Sequence, residues 1–405
     1  MTYRQIALGL MAGVMSAALL PALAQADAPK AAAKVAVTKI SRTSDGHPDL
    51  TGTWTNATLT RLERDPKYGD TALMPPAEAA KLEGDTKAYT AFRNKPSDLT
   101  GKIEDIPCSP GFVGTNCGYN AGWIDPGDTV MRVNGKPVTS FITFPANGRI
   151  PAFKAGARPT GALREAAGEG DGPAPAAAVA PKIEAAQAVS PSAAVRAAAA
   201  DGAARTAARG ARGVGPANPE NLSLGERCIM SFGQSTGPVM QPQLYNNNYQ
   251  FVQTPGQLAI EVEMVHDVKI VRIGAQHRTD GVRPYMGDSI GHWDGDTLVV
   301  ETTNFPRAQA LRGSWENLKV TEKFTRLSPT RMRYQFQVED PTLWDKAWGG
   351  EYEFGPAKGQ VYEYACHEGN YAMEGILAGA RDEERMAKDA ADKTRAAAAP
   401  TAAAR

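Results

Sequence analysis

The sequence predicts a mainly β protein: an antiparallel meander that closes into a barrel or curls into a sandwich, with minor helix. Three observations predict it. Leu258, Ile260, Val262 and Met264 alternate with polar positions that include Glu261 and Glu263, the period-2 pattern of a half-buried strand. Comparable short runs recur through residues 249–366, divided by turn sequences such as Thr254-Pro255-Gly256-Gln257, Asp294-Gly295-Asp296 and Ser328-Pro329-Thr330. Of the 29 aromatic residues, 27 fall within 41–151 and 220–375, so a packed core belongs to those two blocks. Helical periods do not separate the strands, which excludes a parallel α/β arrangement.

Taken along the chain, residues 1–26 read as a secretory signal. Arg4 precedes an apolar run over 6–20, and Ala22-Leu23-Ala24 offers small residues for cleavage. That run is shorter than the ~20 residues a membrane-spanning helix needs, so no transmembrane segment is expected after cleavage. Residues 27–44 form an aromatic-free leader. The N-terminal part of the globular domain covers 45–151, with a helix expected over 75–92 and a hairpin across Asn134-Gly135. Residues 152–219 are an Ala/Pro/Gly-rich insert too poor in apolar side chains to offset its ordering entropy. The β-rich domain spans 220–378, with about eight strands, the last expected over 361–366. An alanine-rich charged tail over 379–405 completes the chain.

Lys and Arg number 44, as do Asp and Glu, and a neutral balance excludes a basic nucleic-acid binder. Export makes the four cysteines disulfide partners. Three pairings exist: Cys108 with Cys117 would pin a Gly/Pro-rich loop, whereas Cys228 with Cys366 would tie the second block's start to its finish. Cys-x-x-Cys and His-Glu-x-x-His spacings are absent, so neither a metal nor a cofactor is implied.

Candidate functional residues stand where the alternation breaks. Glu322 shares an apolar strand face with Leu318, Val320 and Phe324, and Arg272 shares one with Val268 and Ile270; a barrel turning both faces inward would pair Arg272 with Glu322. Residues 277–292 are the densest polar stretch, holding His277, Arg283, Tyr285, Asp288 and His292 on a Gly/Pro-rich loop between strands. His292 with Asp288 or Glu301, and His266 with Asp267, supply the minimum for acid–base work. Trp293, Tyr334, Phe336, Tyr362 and Tyr364 are the aromatic positions expected to line a ligand cavity.

Several runs resemble a family of exported bacterial proteins of uncertain function. They are residues 46–54 (Gly-His-Pro-Asp-Leu-Thr-Gly-Thr-Trp), 147–151, 223–228 and above all 286–302, which includes Gly291-His292-Trp293-Asp294-Gly295-Asp296-Thr297. The resemblance spans both aromatic-rich blocks, skips the insert, and implies architecture and export rather than chemistry. Gly52-Thr53-Trp54 is also similar to the Gly-x-Trp of lipocalin-like barrels, where the Trp closes the barrel floor.

The leading expectation is an exported barrel that binds a small, partly apolar or aromatic molecule. A cofactor-independent lyase, decarboxylase or hydrolase is the competing one, with His292, His266 or His277 as acid or base and Arg283 or Arg272 holding an anionic group. An envelope interaction protein is the third. The sequence carries no signal of oligomeric state.

Overall fold

The computed structural model describes residues 39–94, 125–159 and 218–398, apart from 223, 232–236 and 244–245. The expected signal segment, residues 27–38 of the leader, the Cys108 and Cys117 loop and most of the alanine-rich insert lie outside the described residues.

Nine strands form a closed ring. They are β1 (Gly52–Thr55), β5 (Asn248–Thr254), β6 (Gln257–Val262), β7 (Val268–Ile273), β8 (Asp288–Asp294), β9 (Thr297–Thr303), β10 (Lys319–Ser328), β11 (Arg331–Glu339) and β12 (Trp348–Pro356). Each pairs with the next in that order, and β1 pairs with β12 to shut the barrel. Short β2 (Arg132–Val133) and β3 (Lys136–Pro137) make a hairpin, and β4 (Ile142–Phe144) lies against β12. The turns are those the sequence specifies. Gly295 adopts φ +59, a left-handed conformation suited to the two-residue turn between β8 and β9.

One step departs from the meander: β7 and β8 are parallel, with Val271 opposite Ser289. Parallel neighbours cannot be joined by a tight turn. Residues 274–287 therefore carry the chain from the end of β7 back to the start of β8.

The inward face of the ring is aromatic. Tyr334 meets Phe324 and Tyr352 across the strands, and Tyr249, Phe251 and Phe354 pack beside them, all fully buried. Residues 47–50 cover one end of the barrel. Trp54 is buried there, its indole Nε1 donating to the Leu50 carbonyl at 3.1 Å and its ring lying 4.4 Å from the Arg326 guanidinium. From the other end Val239 and Met240 enter the core. Among the described residues, the interior is thus filled by packed side chains where a ligand cavity was expected.

Helix α1 (Pro76–Arg93) matches the expected helix and packs through Ala79 on a satellite core with Met74 and Val130. Helix α2 (Tyr371–Ala398) is exposed along nearly its whole length. Cys228 and Cys366 are bonded, closing a sequence separation of 138 residues. The strand expected over 361–366 is absent: these residues form no strand pairing, and Tyr362 and Tyr364 are exposed rather than lining a cavity. Gly359 and the lack of a further free edge in a ring already closed by β1 and β12 end the sheet at Pro356. Among the described residues, no helix is long and apolar enough to cross a membrane.

Candidate functional site

The crossover loop after β7 is pinned to the outer wall of the barrel by a chain of charges. Asp288, at the first position of β8, is 4% exposed and receives three donors. The Arg272 guanidinium donates to its Oδ1 at 2.6 Å and the Arg278 amide to its Oδ2 at 2.8 Å, with His277 Nδ1 2.9 Å from Oδ2. His277 Nε2 lies 3.2 Å from Glu301 Oε1 on β9. Glu301 in turn pairs with Lys319 at 3.2 Å, and Lys319 with Glu339 at 3.3 Å. Strand register sets these positions. Arg272 stands opposite Ile290 and Ile290 opposite Glu301, while Glu301 stands opposite Thr321, placing all four on the outward face.

Burial pushes the Asp288 carboxyl toward a higher pKa. The Arg278 amide, the His277 ring and the Arg272 guanidinium outweigh that effect, and the carboxyl is held below its ordinary range. Glu301 is lowered in the same way, burial opposing it and Lys319 and His277 prevailing. A neutral imidazole donates through only one nitrogen, whereas a protonated one serves both carboxylates. As placed, His277 is a brace between loop and wall.

Between the braced loop and the wall lies an open groove of about 330 Å³, lined by Gly274, Ala275, Gln276, Ile290, Gly291, His292 and Glu301. Its volume sits near the lower end of the ~300–1,000 Å³ usual for small-molecule sites. Ile290 and the exposed His292 ring give it apolar and planar surface; Gln276 and Glu301 give it polar groups. Among the described residues, no group of three or more His, Cys, Asp or Glu side chains is placed to hold a metal ion.

The remaining sequence candidates fall elsewhere. Glu322 is fully buried inside the barrel, and its partner is Lys269, at 2.6 Å, not Arg272. The pairing expected with Arg272 fails because β7 presents Lys269, Val271 and Ile273 inward, leaving Val268 and Ile270 exposed on the face that bears Arg272. Tyr334 also points into the barrel, donating to Glu322 Oε1 at 2.8 Å. Arg283 is used structurally, donating to the Phe305 carbonyl at 2.9 Å and lying over Trp315. Half-exposed Tyr285 flanks a separate narrow cleft with Gly237, Pro238 and Gln309. Trp293 stacks on His47 at 4.4 Å at the end of the barrel. His266 lies on the single helical turn between β6 and β7, at the opposite end of β7 from Arg272. Tyr364 belongs to the exposed segment before Cys366.

Lys269, Lys319 and Gln276 were not foreseen. Lys319 begins a strand whose outward positions alternate Lys319, Thr321 and Lys323, so the signal was present as an ordinary solvated face.

No family model matches this chain, and no curated protein matches it. Among solved structures, the crystal structure of a point mutant of the fluorescent protein UnaG is similar over 28% of this chain and 72% of that one, at 11% identity and a TM-score of 0.19. A likeness at that level bears on neither ligand nor chemistry.

Proposed function

We propose that this protein binds a small, partly apolar or aromatic molecule in the groove between the crossover loop and the outer wall of β8 and β9. The observation that carries the reading is the braced groove itself. Its rim is fixed by a buried carboxylate with three donors, so the site exists before a ligand arrives and little ordering entropy opposes binding. A ligand of one or two rings would stack on His292, lie over Ile290 and Gly291, and donate to Glu301 or Gln276. Export into an oxidising compartment belongs to the same reading, supported by the Cys228–Cys366 bond.

Titration of the full chain with aromatic fragments, followed by amide chemical shifts, tests it. The expected shifts are confined to residues 274–276, 290–292 and 301, and vanish in His292→Ala. Shifts centred elsewhere would overturn the assignment.

A second reading is favoured by one feature, the orientation of His277 Nδ1 by buried Asp288, the arrangement that readies an imidazole for proton transfer. It requires Glu301 to leave Nε2. Turnover of any bound fragment that is lost in His277→Gln, while folding and fragment binding are kept, would establish it over simple binding.

A further inference from the structure

The barrel interior holds polar groups that packing alone does not call for. Lys269 and Glu322 form an ion pair with side chains 2% and 0% exposed. Above it Tyr334 donates to Glu322, and its hydroxyl accepts from the Met240 amide at 3.3 Å. The Tyr352 hydroxyl donates to the Met240 carbonyl at 2.9 Å, and Asn56 Nδ2 donates to the hydroxyls of Tyr352 and Tyr249. Asn56 Oδ1 is buried with no hydrogen-bond partner among the described residues, in a residue 1% exposed. Among the described residues, the hydrogen bond that the Lys269 ammonium makes is the one to Glu322, and Gly237 lies beside it.

What these wall groups hold is not part of the wall. Residues 237–241 form no strand, yet Val239 and Met240 are as buried as the ring's own side chains, and the wall meets Met240 through its peptide N–H and C=O. Those two hydrogen bonds would be made equally by any amide carrying a slender apolar chain.

We infer that the barrel interior is a binding site for an aliphatic amide, kept shut by the chain's own Gly237–Gln241 segment, whose Met240 peptide group occupies the place of the ligand's amide. Tyr352 and Tyr334 read the carbonyl and the N–H, Asn56 Oδ1 accepts a second N–H, and the aromatic wall takes the chain. Because the segment competes for the same contacts, the apparent affinity is the intrinsic one reduced by the fraction of molecules in which it has withdrawn.

The test is a titration of the full chain with a fluorescent medium-chain fatty-acyl amide. Wild type is expected to bind weakly, and Met240→Gly, which trims the occupant, at least about tenfold more tightly. Adding Tyr352→Phe to Met240→Gly is expected to remove most of that gain, while His292→Ala in the outer groove leaves it unchanged. Equal affinity in wild type and Met240→Gly, or a gain that survives Tyr352→Phe, overturns the inference. Val239→Ala carries the same expectation at smaller size where Met240→Gly fails to fold; failure of both to fold, with no binding by wild type, also overturns it.

Discussion

The Lys269–Glu322 pair gives the sharpest test of the barrel's interior. Lys269→Met keeps much of the side-chain volume and removes the ammonium, so the loss reports charge rather than a cavity. Glu322 would then be left fully buried, with the Tyr334 hydroxyl donating to it at 2.8 Å. Breaking a buried pair from one side costs about 3–5 kcal/mol, because the remaining charge is uncompensated. Glu322→Gln should cost a similar amount by stranding Lys269. The double variant removes both charges while Gln retains an acceptor for Tyr334, so its cost should fall short of the sum by about 2–3 kcal/mol. Urea unfolding followed by tryptophan fluorescence measures all three, provided the slope with denaturant stays constant. A Lys269→Met loss under about 1 kcal/mol, or strictly additive losses, would show that the two charges are not jointly buried, since pairs open to water are worth that little.

Other perturbations follow from the same geometry. Asp288 and Glu301 have folded pKa values below their free ones, so the stability they contribute is present above about pH 4 and is lost as pH falls through the lower folded values. Asp288→Asn should therefore flatten the acid limb of the urea midpoint against pH, and an unchanged limb would count against the brace. Replacing Cys228 and Cys366 by Ser opens a loop with a sequence separation of 138 residues and should cost about 2–5 kcal/mol, seen as a lower thermal midpoint that wild type reproduces under reductant. A Cβ at Gly350 would overlap the Phe141 carbonyl oxygen, whereas one at Gly355 meets open space. Gly350→Ala should thus lose about 1–3 kcal/mol or more, and Gly355→Ala well under that, by denaturant midpoint.

The strands were readable wherever one face alternated cleanly. Leu258, Ile260 and Val262 face inward as their period demands, and Met332, Tyr334, Phe336 and Val338 do the same on β11. Strand β7 was not readable in that way. Val268-Lys269-Ile270-Val271-Arg272-Ile273 offers two apolar residues to either face, so its register is degenerate, and a one-residue slip exchanges Lys269 for Arg272. Glu322 required a buried cation, and only three-dimensional closure decided which residue supplied it. The crossover loop shows the converse. Its polar density marked residues 277–292 as a site, but strand pairing determined that His277 bridges Asp288 and Glu301 while Arg283 and Tyr285 turn away. The segment over 361–366 misled because its alternating aromatics imitate a strand, whereas a ring already closed leaves it no partner.

The parallel step between β7 and β8 links these findings. A continuous meander would have joined the two strands by a turn of a few residues and left the outer wall bare. The parallel arrangement instead obliges fourteen residues, 274–287, to travel back over that wall, and a loop of such length needs anchoring to hold one shape. Asp288 provides it at the point where the chain re-enters the sheet, which is why a carboxylate there is buried and supplied with donors from Arg272, His277 and Arg278. The groove beneath the loop is thus a consequence of topology, whereas the interior is consumed by aromatic packing and by Met240. Truncating the loop between Gly274 and Gly287 should accordingly abolish fragment binding at His292 while leaving the Lys269–Glu322 coupling intact, and a loss of both together would mean that wall and interior form one cooperative unit rather than two separable sites.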